Sequence, residues 1–189
     1  MGLREFFLWQ LEHEAGTSRK VIERVPEGQN TWKPHDRSME LGYLAALVAS
    51  MPGWIEVMVN RKELDFSDPA NEFMRTRAVK TRAELCHMLA EGLAKSRKAL
   101  ENTTEEHLTK MWRFRMNGKV VSEGPRYAMI ADGAITHLAH HRGQLTVYLR
   151  LLETRVPALY GPSADEGFWA HYGDLFSPGV MTRDLIGVS

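Results

Sequence analysis

The sequence predicts an all-α protein: a four-helix bundle with a small β-hairpin between its third and fourth helices and an irregular C-terminal tail. Three observations carry this reading. Four long segments repeat apolar residues at helical spacing, an Asn-Gly dipeptide between alternating residues precedes the last of them, and no internal repeat or low-complexity segment competes.

The first helix is read from Leu3, Phe7, Leu11, Ala15, Ile22 and Val25, and Pro26 and Gly28 close it. The polar loop "PEGQNTWKPHD" leads to Ser38 as N-cap, after which Leu41, Leu44, Val48, Met51 and Ile55 form a second stripe that Pro52–Gly53 ends or bends. "NRKELDFSDPANEF" reads as a long connection broken at Ser-Asp-Pro. The third helix then runs from Ala78 to Leu100 through Leu85, Leu89 and Leu93. In "MWRFRMNGKVVSEG", residues 112–122 alternate around Asn117–Gly118, which predicts a two-stranded hairpin with a type I′ turn. Pro125 fits the first turn of the fourth helix, whose stripe is Leu138, His141, Leu145, Tyr148 and Leu152, ending before Pro157. Ser163 and Glu166 stand at capping-box spacing in the tail and predict one short helix before irregular chain.

With 189 residues, 43% of them hydrophobic, the chain fits one domain over residues 1–189. Lys+Arg and Asp+Glu balance at 24 each, so the charge excess of a nucleic-acid binder or a membrane-surface protein is missing. The segment "MGLREFFLWQLEHEAG" places charges at Arg4, Glu5, Glu12 and Glu14 and resembles neither a leader nor a membrane span, and a cytoplasmic protein is expected. Cys86, the only cysteine, lies beside an apolar stripe and is assigned to packing. No phosphate-binding glycine loop, Gly-x-Ser-x-Gly elbow or dinucleotide fingerprint is present, so kinase, hydrolase and dehydrogenase readings have no support. Arg75, Arg77, Lys80 and Arg82 are read as a solvated helix face, and Gly143 as a point of close helix approach.

The chemistry gathers in "AITHLAHHRGQLTVYLRLL". His137 and His141 are four residues apart and share a helix face, one turn above the other, while His140 falls about 60° short of a full turn from His137. As a member of the inward stripe, His141 requires a partner, either an ion or a hydrogen-bonding group on another helix.

"HLAHHRGQLTVYLRLL", with "WKPHDRSMELGYLA" upstream and "LYGPSADE" downstream, resembles the DinB-like (YfiT-like) metalloenzyme family, named for damage-inducible proteins and distinct from the DNA polymerase of similar name. The likeness runs from the first helix to about Glu166. It implies a four-helix bundle, often a homodimer, with a divalent metal, commonly zinc or nickel, held by three histidines. Its relatives include S-transferases and isomerases that use the thiols glutathione, mycothiol or bacillithiol. Residue by residue, the two histidines of the last helix match His137 and His141. The third is expected seven residues before the tryptophan of "PGW", where this sequence has Leu47, whose side chain has no lone pair. Tyr43, Met51 and Glu40 lie within two turns of Leu47. His35 in the preceding loop is the weaker candidate for a third ligand. His13, His87, His107 and His171 are assigned no role.

Two functions are therefore expected from different classes. One is a metal-dependent enzyme of the thiol-dependent S-transferase or hydrolase-like type with a degenerate metal site, acting on a small-molecule substrate. The other is a metal-free, non-catalytic dimeric bundle that binds a small molecule or serves as a stress-associated protein. Neither engages nucleic acid or a membrane.

Overall fold

The computed structural model of the chain describes residues 1–167. It is mostly helical, with a small three-stranded sheet. Four long helical runs carry the core. They are α1 (Leu3–Ile22), α2 (Leu41–Ser50) continued by α3 (Trp54–Asn60), α4 (Arg82–Glu101), and the run from α6 (Arg126–Ile130) to α7 (His137–Leu151). A short α5 (Glu105–Thr109), which the apolar pattern did not predict, precedes the sheet.

The interruptions have local causes. Pro52 in "SMPGW" bends the second run: Met51–Gly53 tightens into a 3-10 turn before α3 resumes. The run Leu41–Asn60 is long and apolar enough to cross a membrane, but 72% of its most apolar window is buried inside the fold, the mark of a core helix. Ser38 does not cap it. The N-cap is Glu40, without a side-chain bond, and Ser38 instead donates its backbone N–H to the His35 carbonyl in a turn. The third run begins at Arg82 rather than Ala78, because Thr81 and Glu84 form a capping box there. That leaves Arg75, Arg77 and Lys80 ahead of the helix instead of on its face. Arg75 and Arg77 pair with Glu72.

The hairpin is a three-stranded sheet. β2 (Met111–Met116) and β3 (Lys119–Pro125) are antiparallel, and β1 (Glu63–Asp65), from the predicted long connection, adds in parallel to β2. Three residues give too short a pattern to read as a strand. The turn is as expected: Asn117 (φ 51°) and Gly118 (φ 75°) both take positive φ, as a type I′ turn requires. Pro125 closes β3 and caps α6.

The last run contains the other departure. Ala131–Thr136 is π-helical, between α6 and α7. Such segments are rare and concentrate at functional sites. Beyond α7, Ser163 binds the N–H groups of Asp165 and Glu166, but among the described residues this turn does not become a helix. The rest of the predicted tail lies outside the described residues.

Two apolar clusters hold the elements together. One joins α1, α2, α4 and α7 through residues such as Leu44, Leu47, Leu89, Leu138 and Leu145, with Cys86 partly buried against it. The other joins α1, α3, α5, the sheet, α6 and the π segment through Phe7, Ile55, Leu108, Trp112, Ile130 and Ile135. Gly53 and Gly92 bring the 3-10 turn against α4, since a Cβ on Gly92 would lie 3.0 Å from the Gly53 nitrogen. Gly143, by contrast, has no neighbour within 4 Å of a built Cβ, so the close approach expected there is absent. Arg126 is buried and bonds three carbonyls, those of Met58, Arg61 and His107. It thereby ties α6 to the ends of α3 and α5, where helix dipoles favour a cation.

Candidate functional site

The core-facing stripe of α7 is Leu138, Arg142, Leu145 and Leu149, all fully or nearly fully buried. His141 was expected on that stripe. It lies one position to the side, half-buried, as is His137, and His140 is exposed. The i, i+4 spacing does bring His137 and His141 together, with their Nε2 atoms 2.9 Å apart.

The neighbours decide the protons. His141 Nδ1 is 2.8 Å from the Gln144 side-chain oxygen, which can only accept, so Nδ1 carries the hydrogen and donates it. In a neutral imidazole Nε2 is then bare and accepts the His137 Nε2–H. Burial, followed by the proximity of His137 and His140, pushes the His141 pKa down, and the Gln144 bond only partly opposes this. The pair is thus a directional hydrogen-bonded chain from His137 through His141 to Gln144. The edge of Trp54, the first residue of α3, rests against His137 with ring centroids 5.7 Å apart.

The other sequence candidates lie elsewhere. His35 is exposed, and its Nδ1 accepts the Arg37 backbone N–H within its own loop. His13 is half-buried and stacks on Trp9. His107 bonds the Val59 carbonyl, and exposed His87 lies near Glu91. Leu47 is 8% exposed and part of the apolar core.

Beside His137 a cavity of about 380 Å³ opens between α3, the sheet and the π segment. Its walls are apolar, with Trp54, Met58, Trp112, Phe114 and Met129 among them; Asp132 and Gly133 of the π segment complete the rim next to His137. Gly133 matters by its size, because a Cβ there would sit 3.2 Å from the Met58 methyl.

Sequence reasoning missed a buried polar cluster on the other side of α7. The Arg142 guanidinium donates to the Glu14 carboxylate at 2.5 Å, to the Glu14 carbonyl at 3.0 Å and to Ser18 Oγ at 3.1 Å. Tyr160 Oη contacts the same guanidinium and donates to Glu14 at 2.6 Å. Burial and that bond push the Tyr160 phenol up. A signal existed: Glu14 and Ser18 continue the apolar face of α1 from Leu11, and Arg142 falls four residues after Leu138. Polar groups at such positions announce partners.

With this geometry in view, comparison with known proteins is decisive for kinship. The family model described as the DinB family matches residues 3–168. The chain belongs to the DinB family. A relative from Bacillus subtilis, the uncharacterised protein YrdA, is 25% identical over 169 residues, covering 89% of this chain and 93% of that one. A solved DinB-like protein from Bacillus cereus matches with a TM-score of 0.62 at 21% identity, over 82% of this chain and 97% of the other. The DinB-like YjoA of B. subtilis matches with a TM-score of 0.57 at 20% identity, over 79% and 94%. These likenesses show a shared fold.

The donor set does not fit the three-histidine metal centre that the resemblance implies. Two imidazoles are present, the third position is an alkyl chain, and among the described residues no group of three His, Cys, Asp or Glu converges. Tetrahedral zinc holds two ring nitrogens about 3.3 Å apart, given Zn–N bonds of about 2.0–2.1 Å. At 2.9 Å the two Nε2 atoms satisfy each other and must part before they share an ion.

Proposed function

We propose that this DinB-family chain is a metal-independent, small-molecule-binding protein, built on the family's bundle, in which His137, hydrogen-bonded to His141 behind it, forms the polar end of the apolar cavity. The observation that supports this reading most directly is the pair itself. Its two nitrogens are joined by a hydrogen bond, and the position from which a third imidazole should come is filled by Leu47, packed among core side chains.

A hydrogen-bonding imidazole at the edge of an apolar chamber suits ligand recognition, since a few placed polar groups in an apolar site fix a ligand's orientation. In the metal-dependent S-transferase alternative, a cation lowers the pKa of a bound thiol, and that role needs more than two protein donors to hold the cation persistently. Elemental analysis of protein purified without a histidine tag tests the proposal. Sub-stoichiometric zinc and nickel is the expected result, and one equivalent of either metal per chain that survives dialysis would overturn it.

A further inference from the structure

A second cavity, of about 490 Å³, shares Trp54, Val57 and Met74 with the chamber beside His137 but is lined by no histidine. It opens between α3, α4 and the segment after β1, a 3-10 turn at Pro69–Met74 with the chain that follows it to Arg77.

The charged residues of this cavity divide by element. The turn and the chain after it supply Glu72, Arg75 and Arg77. Both guanidiniums bond the one carboxylate, Arg75 at 3.0 Å and Arg77 at 3.2 Å, so a positive charge is left over on this wall. The helices supply Glu56 of α3 with Glu91 and Lys95 of α4, and a negative charge is left over there. Glu56 is half-buried, and its carboxylate accepts a hydrogen bond from Asn60 of its own helix at 2.8 Å. Among the described residues no Lys or Arg pairs with Glu56 or Glu91, and His87 lies 3.9 Å from Glu91. A carboxylate so placed keeps acceptor sites for an ammonium group, and guanidiniums that share one carboxylate keep donors for a second. Trp54, Phe73 and Met88 add apolar lining, and Phe73 is 56% exposed, ring surface that a ligand can cover.

We propose that this cavity binds a short free peptide with apolar side chains, on the order of two or three residues long, its ammonium group against Glu56 and Glu91 and its terminal carboxylate against Arg75 and Arg77. The two walls exclude simpler ligands. A plain anion or cation suits one wall and is repelled by the other, and a neutral apolar molecule desolvates both without answering either. In a single amino acid the two charges share one carbon, whereas each further residue separates them by about 3.3–3.6 Å. The volume lies within the range of small-molecule sites. The inference goes beyond the reading above, because it concerns a different cavity and does not depend on the histidine pair.

The test is calorimetric titration of the full chain with the dipeptide phenylalanyl-leucine, its N-acetyl form and its C-terminal amide. The free dipeptide is expected to bind about threefold or more tightly than either blocked form, the scale of partly exposed charge pairs. Glu56→Gln combined with Glu91→Gln should bind the free and acetylated peptides alike, and Arg75→Gln combined with Arg77→Gln should bind the free peptide and the amide alike. Should either variant fail to fold, the native chain at low and high salt replaces it: affinity for the free dipeptide should fall as salt rises, and affinity for the doubly blocked peptide should not. No binding of the free dipeptide, equal affinities for free and blocked forms, free phenylalanine binding as tightly as the dipeptide, or variants that keep the full preference would each overturn the proposal. None of these outcomes bears on metal content, which decides the metal-independent reading by itself.

Discussion

At the scale of single residues, His141 is an imidazole held neutral by burial and by imidazole neighbours. Its folded-state pKa lies below the ordinary 6.5, so below that value the unfolded chain binds more protons than the folded one. The stability it contributes is therefore complete above pH 6.5 and is lost as pH falls from there through the folded-state value. Urea midpoints measured between pH 8 and pH 5 should fall less steeply in His141→Gln than in the parent; parallel profiles would show that His141 is not depressed. The Glu14–Arg142 pair predicts a larger effect. Glu14→Ala leaves a buried guanidinium without its carboxylate and should cost about 3–5 kcal/mol in denaturant unfolding. The double replacement Glu14→Leu with Arg142→Met should recover much of that, since neither charge is then left behind. A loss under 1 kcal/mol for the single variant would mean that water already reaches the pair.

At the scale of elements, two glycines on helices make opposite predictions. Gly143 is exposed in α7 with open space around it, so Gly143→Ala should stabilise by about 0.5–1 kcal/mol through helix propensity alone. Gly92 has the same propensity to gain, but its Cβ would press on Gly53 backbone atoms at 3.0 and 3.2 Å. Overpacking against backbone costs about 1–3 kcal/mol, so Gly92→Ala should be destabilising. Equilibrium unfolding of the two variants decides the sign. The sequence alone had marked Gly143 as the close contact, because a glycine within a helix invites that reading and nothing local says which neighbour is near. The type I′ turn was legible because Asn-Gly encodes its own φ angles. β1, α5 and the π segment were not. The first two are too short for periodicity to register, and the π segment keeps the apolar pattern of an α-helix while shifting its phase. His141 and Arg142 fall three and four residues after Leu138, both at helical spacing, so the pattern alone does not say which of the two the core buries.

For the molecule as a whole, four amphipathic stripes were enough to place the core, since apolar spacing records burial directly. The pairing of His137 with His141 followed from the same periodicity. The cavity did not, because it depends on which residues of α3, the sheet and the π segment meet, and only tertiary packing determines that. A surface feature bears on assembly: Val147 and Leu151, one turn apart on α7, are 57% and 53% exposed. The expectation of a homodimer is checked by light scattering at micromolar concentration, which should return twice the chain mass; a monomer mass would refute it.

If Leu47 stands where a third imidazole is needed, the native chain holds no zinc, and thermal melts in chelator and in excess zinc show whether it does. The parent should melt at the same temperature in both. Leu47→His should be less stable than the parent in chelator by about 1–3 kcal/mol, as a buried imidazole without a partner, and zinc should reverse the loss. At a hundredfold excess over Kd, binding to the folded state alone adds about 2.7 kcal/mol, several degrees for a domain of this size. His141→Ala in the Leu47→His background should abolish that shift. A zinc-dependent rise of several degrees in the parent, lost in His141→Ala, would overturn metal independence, because the native residues would then already hold the ion.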